Sequence, residues 1–230
     1  IGLLRQLLPE VSAMKGVEQP REFHPEGDVW THTMLMLEMM EQPSATLAMG
    51  VLLHDVGKPP TFRLAERIRF DGHVEVGARM AAAICGRLRF SRRETEQIVA
   101  LVEHHLRFKD APRMKPSTLK RFLRLEGFQE HLELHRLDCL SSHRNLENYE
   151  YVCRALAELP PEAIRPQPLV TGNDLIAAGY TPGPWFKEIL QAVEEAQLDT
   201  RIVSRPEAME YVRERFPAPG GLAGGGKNHP

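Results

Sequence analysis

No stretch of about 18 apolar residues occurs in the chain, so no segment reads as a membrane span. The opening residues lack a charged start followed by an apolar signal stretch, and the expectation is a cytoplasmic protein rather than a secreted one. Cysteine is scarce and odd in number. Cys85, Cys139 and Cys153 lack zinc-ligand spacing and read as small apolar residues in a reducing compartment, which excludes a disulfide framework. β-branched residues do not cluster and no segment alternates with period two for long, which argues against a sheet-based fold. Nor is one sign of charge in excess. A net charge of -2 excludes a protein coated in basic surface and leaves room only for a local basic patch.

What the chain does have is material for a core. It is 230 residues long, 42% hydrophobic and 26% charged, enough for one large domain or a domain with an appendage. Apolar residues recur at three- and four-residue spacings, which predicts an all-α fold. Helices are expected at about 28–42, 45–57, from His73, 92–107, 128–144, 147–159, 184–197 and 205–216. Ser44, Ser91 with Glu94, Ser117, Thr171 with Asp174, and Ser204 read as caps. Residues 59–72 read as a connector that includes a short extended piece at 67–70. The prolines between 160 and 168 read as a stiff linker. The expected organisation is therefore a helical domain over 1–159, a smaller helical tail over 160–216 and a disordered end over 217–230. The chain opens on Ile1 in what resembles the end of a helix, so it is expected to be a piece of a longer protein.

The most informative stretch is Leu52-Leu53-His54-Asp55-Val56-Gly57-Lys58, with Pro59-Pro60 after it as a helix stop. Imidazole nitrogen and carboxylate oxygen both bind divalent first-row metals, and adjacent His and Asp offer one of each. Taken alone, such a dipeptide is more often a surface feature. Other candidate ligands raise its weight: His32, His73, His104, His105 and Asp138. Asp138 is placed on an apolar helical face with Leu134 and Leu137, where an ionised carboxylate is costly unless it is paired or bound to a metal. Periodicity does not decide which of His104 and His105 points inward. Lys58 either holds a phosphate oxygen or is a cation at a helix C-terminus. His24 and His143 read as loop or surface residues, and His131 and His135 as a helix face. The segment 107–124 carries seven Lys and Arg residues, among them Lys115, Lys120 and Arg121, against the single acid Asp110. It reads as a solvated face or as a phosphate-contacting patch.

The order His32, His54-Asp55 and Asp138 resembles the HD superfamily of metal-dependent phosphohydrolases. His73 in Phe70-Asp71-Gly72-His73 and His104 in Glu103-His104-His105 resemble its two-metal members. The flanks Gly16-Val17-Glu18-Gln19-Pro20, Phe23-His24-Pro25-Glu26-Gly27-Asp28-Val29, Leu169-Val170-Thr171-Gly172-Asn173-Asp174-Leu175 and Pro182-Gly183-Pro184-Trp185-Phe186 resemble the C-terminal part of bacterial tRNA nucleotidyltransferases (CCA-adding enzymes) and poly(A) polymerases. This likeness covers roughly residues 1–216. Lys187 stands where that family has a glycine. The resemblance implies an HD helical bundle followed by a helical tail. It implies two divalent metal ions (Ni, Mn, Fe, Zn and Mg are not distinguished), one held by His32, His54, Asp55 and Asp138, the other by His73 and His104, with Asp55 shared. Asp55 and Lys58 would be catalytic, and His105 either a hydrogen-bond donor behind the ligands or a packed core residue. The implied substrates are phosphomonoesters, 2′-nucleotides, and cyclic 2′,3′-phosphates of nucleotides or RNA ends.

The nucleotidyltransferase head itself, with its Gly-rich strand and paired aspartates, is not in this sequence. A second reading is therefore a tRNA-binding body and tail that serves a head domain in the full-length protein, with Lys115, Lys120 and Arg121 on RNA phosphates. A third is a core in which the histidines merely pack.

Overall fold

The computed structural model describes residues 2–217. Its elements in chain order are α1 (Leu3–Leu7), α2 (Pro9–Ser12), α3 (Val29–Glu38), α4 (Ala45–Leu53), α5 (Lys58–Thr61), β1 (Arg63–Leu64), β2 (Ile68–Arg69), α6 (His73–Arg87), α7 (Arg92–His104), a 3-10 helix (His105–Arg113), α8 (Pro116–Leu123), α9 (Phe128–Ser141), α10 (Glu147–Glu158), α11 (Pro161–Ile164), α12 (Gly172–Ala177), α13 (Trp185–Leu198) and α14 (Arg205–Arg215). The protein is all-α apart from the antiparallel β1–β2 pair, in which Arg63 faces Arg69 and Leu64 faces Ile68. The end expected to be disordered from 217 lies, from 218 on, outside the described residues, as does Ile1.

Local signals account for most boundaries. Asp28, Ser44 and Ser91 accept hydrogen bonds from the backbone three residues on, and Ser91 with Glu94 closes a capping box. Thr171 with Asp174 forms another, and Ser204 caps α14. Ser117 does not cap α8. Pro116 takes the first helical position with Lys115 before it, because a fixed φ and a missing N–H suit that place. Pro59-Pro60 do not stop a helix either. They sit in the first turns of α5, where the same preference applies.

The chain forms two compact units. The first contains residues up to Pro112 and Leu125–Ala155, and the second contains Arg113–Arg124 and the chain from Leu156. The helix α8 thus belongs with the later residues, although sequence reading had set it in the domain 1–159.

In the first unit α6 packs on α7, α7 on α4, and α9 on α3, α4 and α7. Two apolar clusters fill it. One includes Val11, Leu53, Ile84, Ile98 and Val102, and the other Met36, Leu47, Val51, Leu101, Leu134 and Leu137. The helices approach closely where glycine permits. A Cβ on Gly50 would collide with Leu101, and one on Gly57 would run into the backbone of His73 and Gly77. The Gly57 contact presses the turn after Asp55 onto the start of α6. The second unit has its own apolar centre around Leu175, Tyr180, Ile189, Val193, Ala208 and Val212.

Candidate metal centre

Each site residue stands at a helix end or on an inward stripe of the first unit. His54 is the C-cap of α4 and His105 the C-cap of α7. His73 opens α6. His32 lies in the first turns of α3, on a buried face formed by Val29, His32, Thr33 and Met36; Leu35, expected on this face, is only partly buried. Asp138 comes from α9, between the buried Leu134 and Ser141.

These elements bring the side chains together. His54 Nε2 is 3.1 Å from Asp55 Oδ2. His73 Nε2 and His105 Nε2 are each 3.8 Å from Asp55 Oδ1, beyond hydrogen-bond range. His32 Nε2 is 3.2 Å from Asp138 Oδ1. The rings follow one another at 5.4 Å for His32–His54, 5.4 Å for His54–His105 and 5.6 Å for His73–His105. Three groups of possible ligands result among the described residues, His24–Glu26–His32, His32–His54–Asp55 and Asp55–His73–His105, and Asp55 is common to the last two. One carboxylate oxygen of Asp55 faces each of these two.

The other ring nitrogens are held in place. His54 Nδ1 donates to the Val51 carbonyl at 2.8 Å, His73 Nδ1 to Phe70 at 2.8 Å and His105 Nδ1 to Val102 at 2.7 Å, in each case three residues back. His32 Nδ1 meets Glu26 Oε1 at 2.7 Å. This is how metal-ligating histidines are commonly oriented, with the unprotonated Nε2 turned inward. The buried Nε2 atoms of His32, His54 and His73 and the Oδ1 of Asp55 have no hydrogen-bond partner. Buried polar atoms without partners are costly. Such atoms gathered around Asp55 fit a divalent cation, and imidazole with carboxylate is a donor set that suits one.

Electrostatics keep both carboxylates charged and divide the imidazoles. For Asp55, burial opposes the charge, but His54 and Lys58 beside it hold the carboxyl well below the usual range. For Asp138 the same contest is won by His32, whose Nε2 lies 3.2 Å away, and its carboxyl also falls well below the ordinary value. Burial resists protonation of His32, yet Asp138 and Glu26 push it up to about 9 in the protein alone. His105 is driven down to about 4 by burial against the pull of Asp55. A neutral imidazole is the form that ligates a metal, so His105 is in that form at neutral pH, whereas His32 would release a proton on binding one.

Two of the sequence expectations change here. His105, not His104, joins the centre. His105 is fully buried and its ring folds back on Val102, whereas His104 points to His131, with ring centroids 6.0 Å apart. The stripe Ile98–Leu101–Val102–His105 carried this signal. Lys58 is not at a helix C-terminus but is the first residue of α5. It lies buried, 2.7 Å from Asp55 Oδ2, and donates to Gln19 Oε1 at 2.6 Å.

A cleft of about 640 Å³ opens onto Asp55, His105 and Asp138, with Lys58, Lys109 and the exposed Phe23 also lining it. His24, read from sequence as a loop residue, reaches this cleft and shares Glu26 with His32.

The three cations singled out from the basic stretch lie against groups of their own unit. Lys115 pairs with Glu195, Lys120 is buried and donates to the Leu198 carbonyl at 2.6 Å, and Arg121 lies 3.5 Å from Glu194. Sequence reading missed these acids because they stand about 75 residues further along the chain.

The body is all-helical, its His and Asp clusters are able to hold a metal, and residues 28–139 match the HD domain family. The protein carries an HD domain and is related over most of its length to enzymes that act on tRNA. It is 30% identical over 222 residues to a CC-adding tRNA nucleotidyltransferase of Thermus thermophilus, covering 92% of this chain and 50% of that protein. It is 32% identical over 230 residues to an A-adding tRNA nucleotidyltransferase of Deinococcus radiodurans, covering 93% and 52%. A multifunctional CCA protein of Halorhodospira halophila is 38% identical over 149 residues, covering 62% and 35%. The chain spans about half the length of the first two relatives.

Proposed function

We propose that this chain is the HD-containing part of a tRNA nucleotidyltransferase-like protein and that its own site is a divalent-metal phosphohydrolase acting on nucleotide or RNA-end phosphates. The observation that carries the proposal is the Asp55 carboxylate shared by two groups of imidazoles, in which the buried Nε2 atoms of His32, His54 and His73 lack partners. His32, His54, Asp55 and Asp138 would hold one ion, and His73 and His105, with Asp55 between, a second. Bound there, divalent metal supplies Lewis acidity toward phosphate oxygens and a water ionisable near neutral pH. The chain's own part is orientation. The three backbone carbonyls and Glu26 fix the rings, and Lys58 holds Asp55 while adding positive charge to the cleft floor, where it would meet a phosphate oxygen.

The likeness to tRNA nucleotidyltransferases supports a second role, holding tRNA for a catalytic head, because it extends through both units. One sample tests both. Bound metal is counted by elemental analysis, and hydrolysis of 2′,3′-cyclic AMP and of a generic phosphomonoester is assayed with nickel, manganese or iron, followed by tRNA binding. Metal with turnover supports the hydrolase. No metal and no turnover under every ion, with tRNA bound, leaves only the second role.

A further inference from the structure

We infer that Glu26 is a positioning residue that sets the affinity of the centre for its metal through His32. The inference rests on the metal reading of the site.

Four imidazoles face the two ligand groups that share Asp55, and three of them are seated on the carbonyl three residues back. His32 is not. The carbonyl three residues before it, that of Val29, accepts the Thr33 hydroxyl at 2.9 Å and lies inside the hydrogen-bonded run of α3. The acceptor for His32 Nδ1 must therefore come from outside the helix. Ser141 Oγ lies 3.3 Å from this nitrogen, with its proton directed to the Asp138 carbonyl at 3.0 Å. The close partner is Glu26 Oε1 at 2.7 Å.

The chain makes a special turn to put Glu26 there. Gly27 takes φ of 132°, a conformation that side-chain-bearing residues rarely adopt, between Glu26 and the cap Asp28. The same Oε1 takes His24 Nδ1 at 2.8 Å, so one carboxylate oxygen braces two rings that meet edge to face.

Glu26 is expensive to keep. Its side chain is 6% exposed, and its Oε2 is buried with no hydrogen-bond partner. Breaking even in stability is difficult for a buried carboxylate with one oxygen unpaired. A carboxylate behind a ligating imidazole, by contrast, raises the basicity of the far nitrogen and fixes the ring. Loss of such a partner costs about 10- to 100-fold in metal affinity. A neutral carbonyl serves three of the four rings; the one ring backed by a full negative charge is the one that also faces Asp138.

The test measures manganese and nickel affinity of the full chain by calorimetry for the wild type, Glu26→Gln, Glu26→Asp and His54→Ala. Glu26→Gln keeps the volume and an acceptor but removes the charge. It is expected to weaken binding by about tenfold, with Glu26→Asp intermediate. A ¹⁵N spectrum of the protein without added metal gives a readout that mere packing would not move: the His32 Nδ1 resonance should shift in Glu26→Gln while those of His54 and His105 stay. Wild-type binding that His54→Ala abolishes, with Glu26→Gln within twofold of wild type, would overturn the inference and leave the metal centre standing. A wild type that binds neither ion would overturn both.

Discussion

The two units use charge in opposite ways. In the first, Asp55, Glu26, Lys58 and four histidines are packed inward, and several of their polar atoms lack partners. In the second, the buried positions are mostly apolar, and Lys115, Arg121 and Arg124 lie against Glu194 and Glu195. Buried charge is unstable unless something compensates it, whereas partly exposed ion pairs cost little and contribute little. The two units differ in clustering: unpartnered buried atoms gather around Asp55 in the first unit, whereas in the second the unpartnered Arg121 Nη2 still lies 3.5 Å from Glu194.

The largest effect is expected where the difference is sharpest. Asp55→Ala removes the one group that both imidazole sets face. It should lose bound metal and lower hydrolysis by at least about 10³-fold while the far-ultraviolet circular dichroism stays helical. Hydrolysis that survives this change would mean that the buried charge is not the catalytic centre.

Next comes the contact that holds the site together. Gly57→Ala drives a methyl group into the His73 and Gly77 backbone, where no flexible side chain can give way. It should destabilise the protein by about 3 kcal/mol or more and move His73 away from Asp55. Thermal unfolding and metal affinity should fall together. Full stability would show that α6 is free to shift.

How much of this was legible in the sequence follows from the range of each signal. Caps and helix stripes are local, and Ser91–Glu94 or Thr171–Asp174 could be read within four residues. The resemblance points to His32, His54, Asp55, His73, His104 and Asp138; the structure gathers all of these but His104, and the seven-residue spacing from Ile98 to His105 agrees with the inward place of His105. Glu26 and His24 were passed over because a carboxylate in a Pro-Gly turn has no periodicity to give it a face. The partners of Lys115, Lys120 and Arg121 were out of reach, because a long-range ion pair leaves no trace in local pattern.

A pH measurement separates buried from exposed charge within the first unit. Burial pushes His131 and His135, which lie outside the ligand groups, down to about 4. The unfolded chain binds their protons below pH of about 6.5 and the folded chain does not, so stability is complete above that value and is lost as pH falls toward 4. Each group accounts for at most roughly 3 kcal/mol. His131→Leu should flatten the fall in denaturation midpoint between pH 6.5 and 4. An unchanged slope would mean that His131 is solvated.

The smallest effects belong to the second unit, where they decide between architecture and RNA contact. Here α8 and α13 complement each other end to end. The Ser117 N–H in the first turn of α8 donates to Asp199 Oδ1 at 2.8 Å, and Lys120 caps the carbonyl of Leu198 at the end of α13. Acid at a helix start and cation at a helix end both favour the macrodipole. Lys120→Met keeps the stem but leaves that carbonyl unsatisfied, and should cost about 1–3 kcal/mol. Lys115→Gln with Arg121→Gln removes only partly exposed pairs and should cost less than about 1 kcal/mol. If the acids have already claimed these cations, tRNA affinity and its salt dependence should stay within about twofold in the double variant. A flatter salt dependence would mean that phosphate outcompetes Glu194 and Glu195, and would return Lys115 and Arg121 to the RNA-contacting surface.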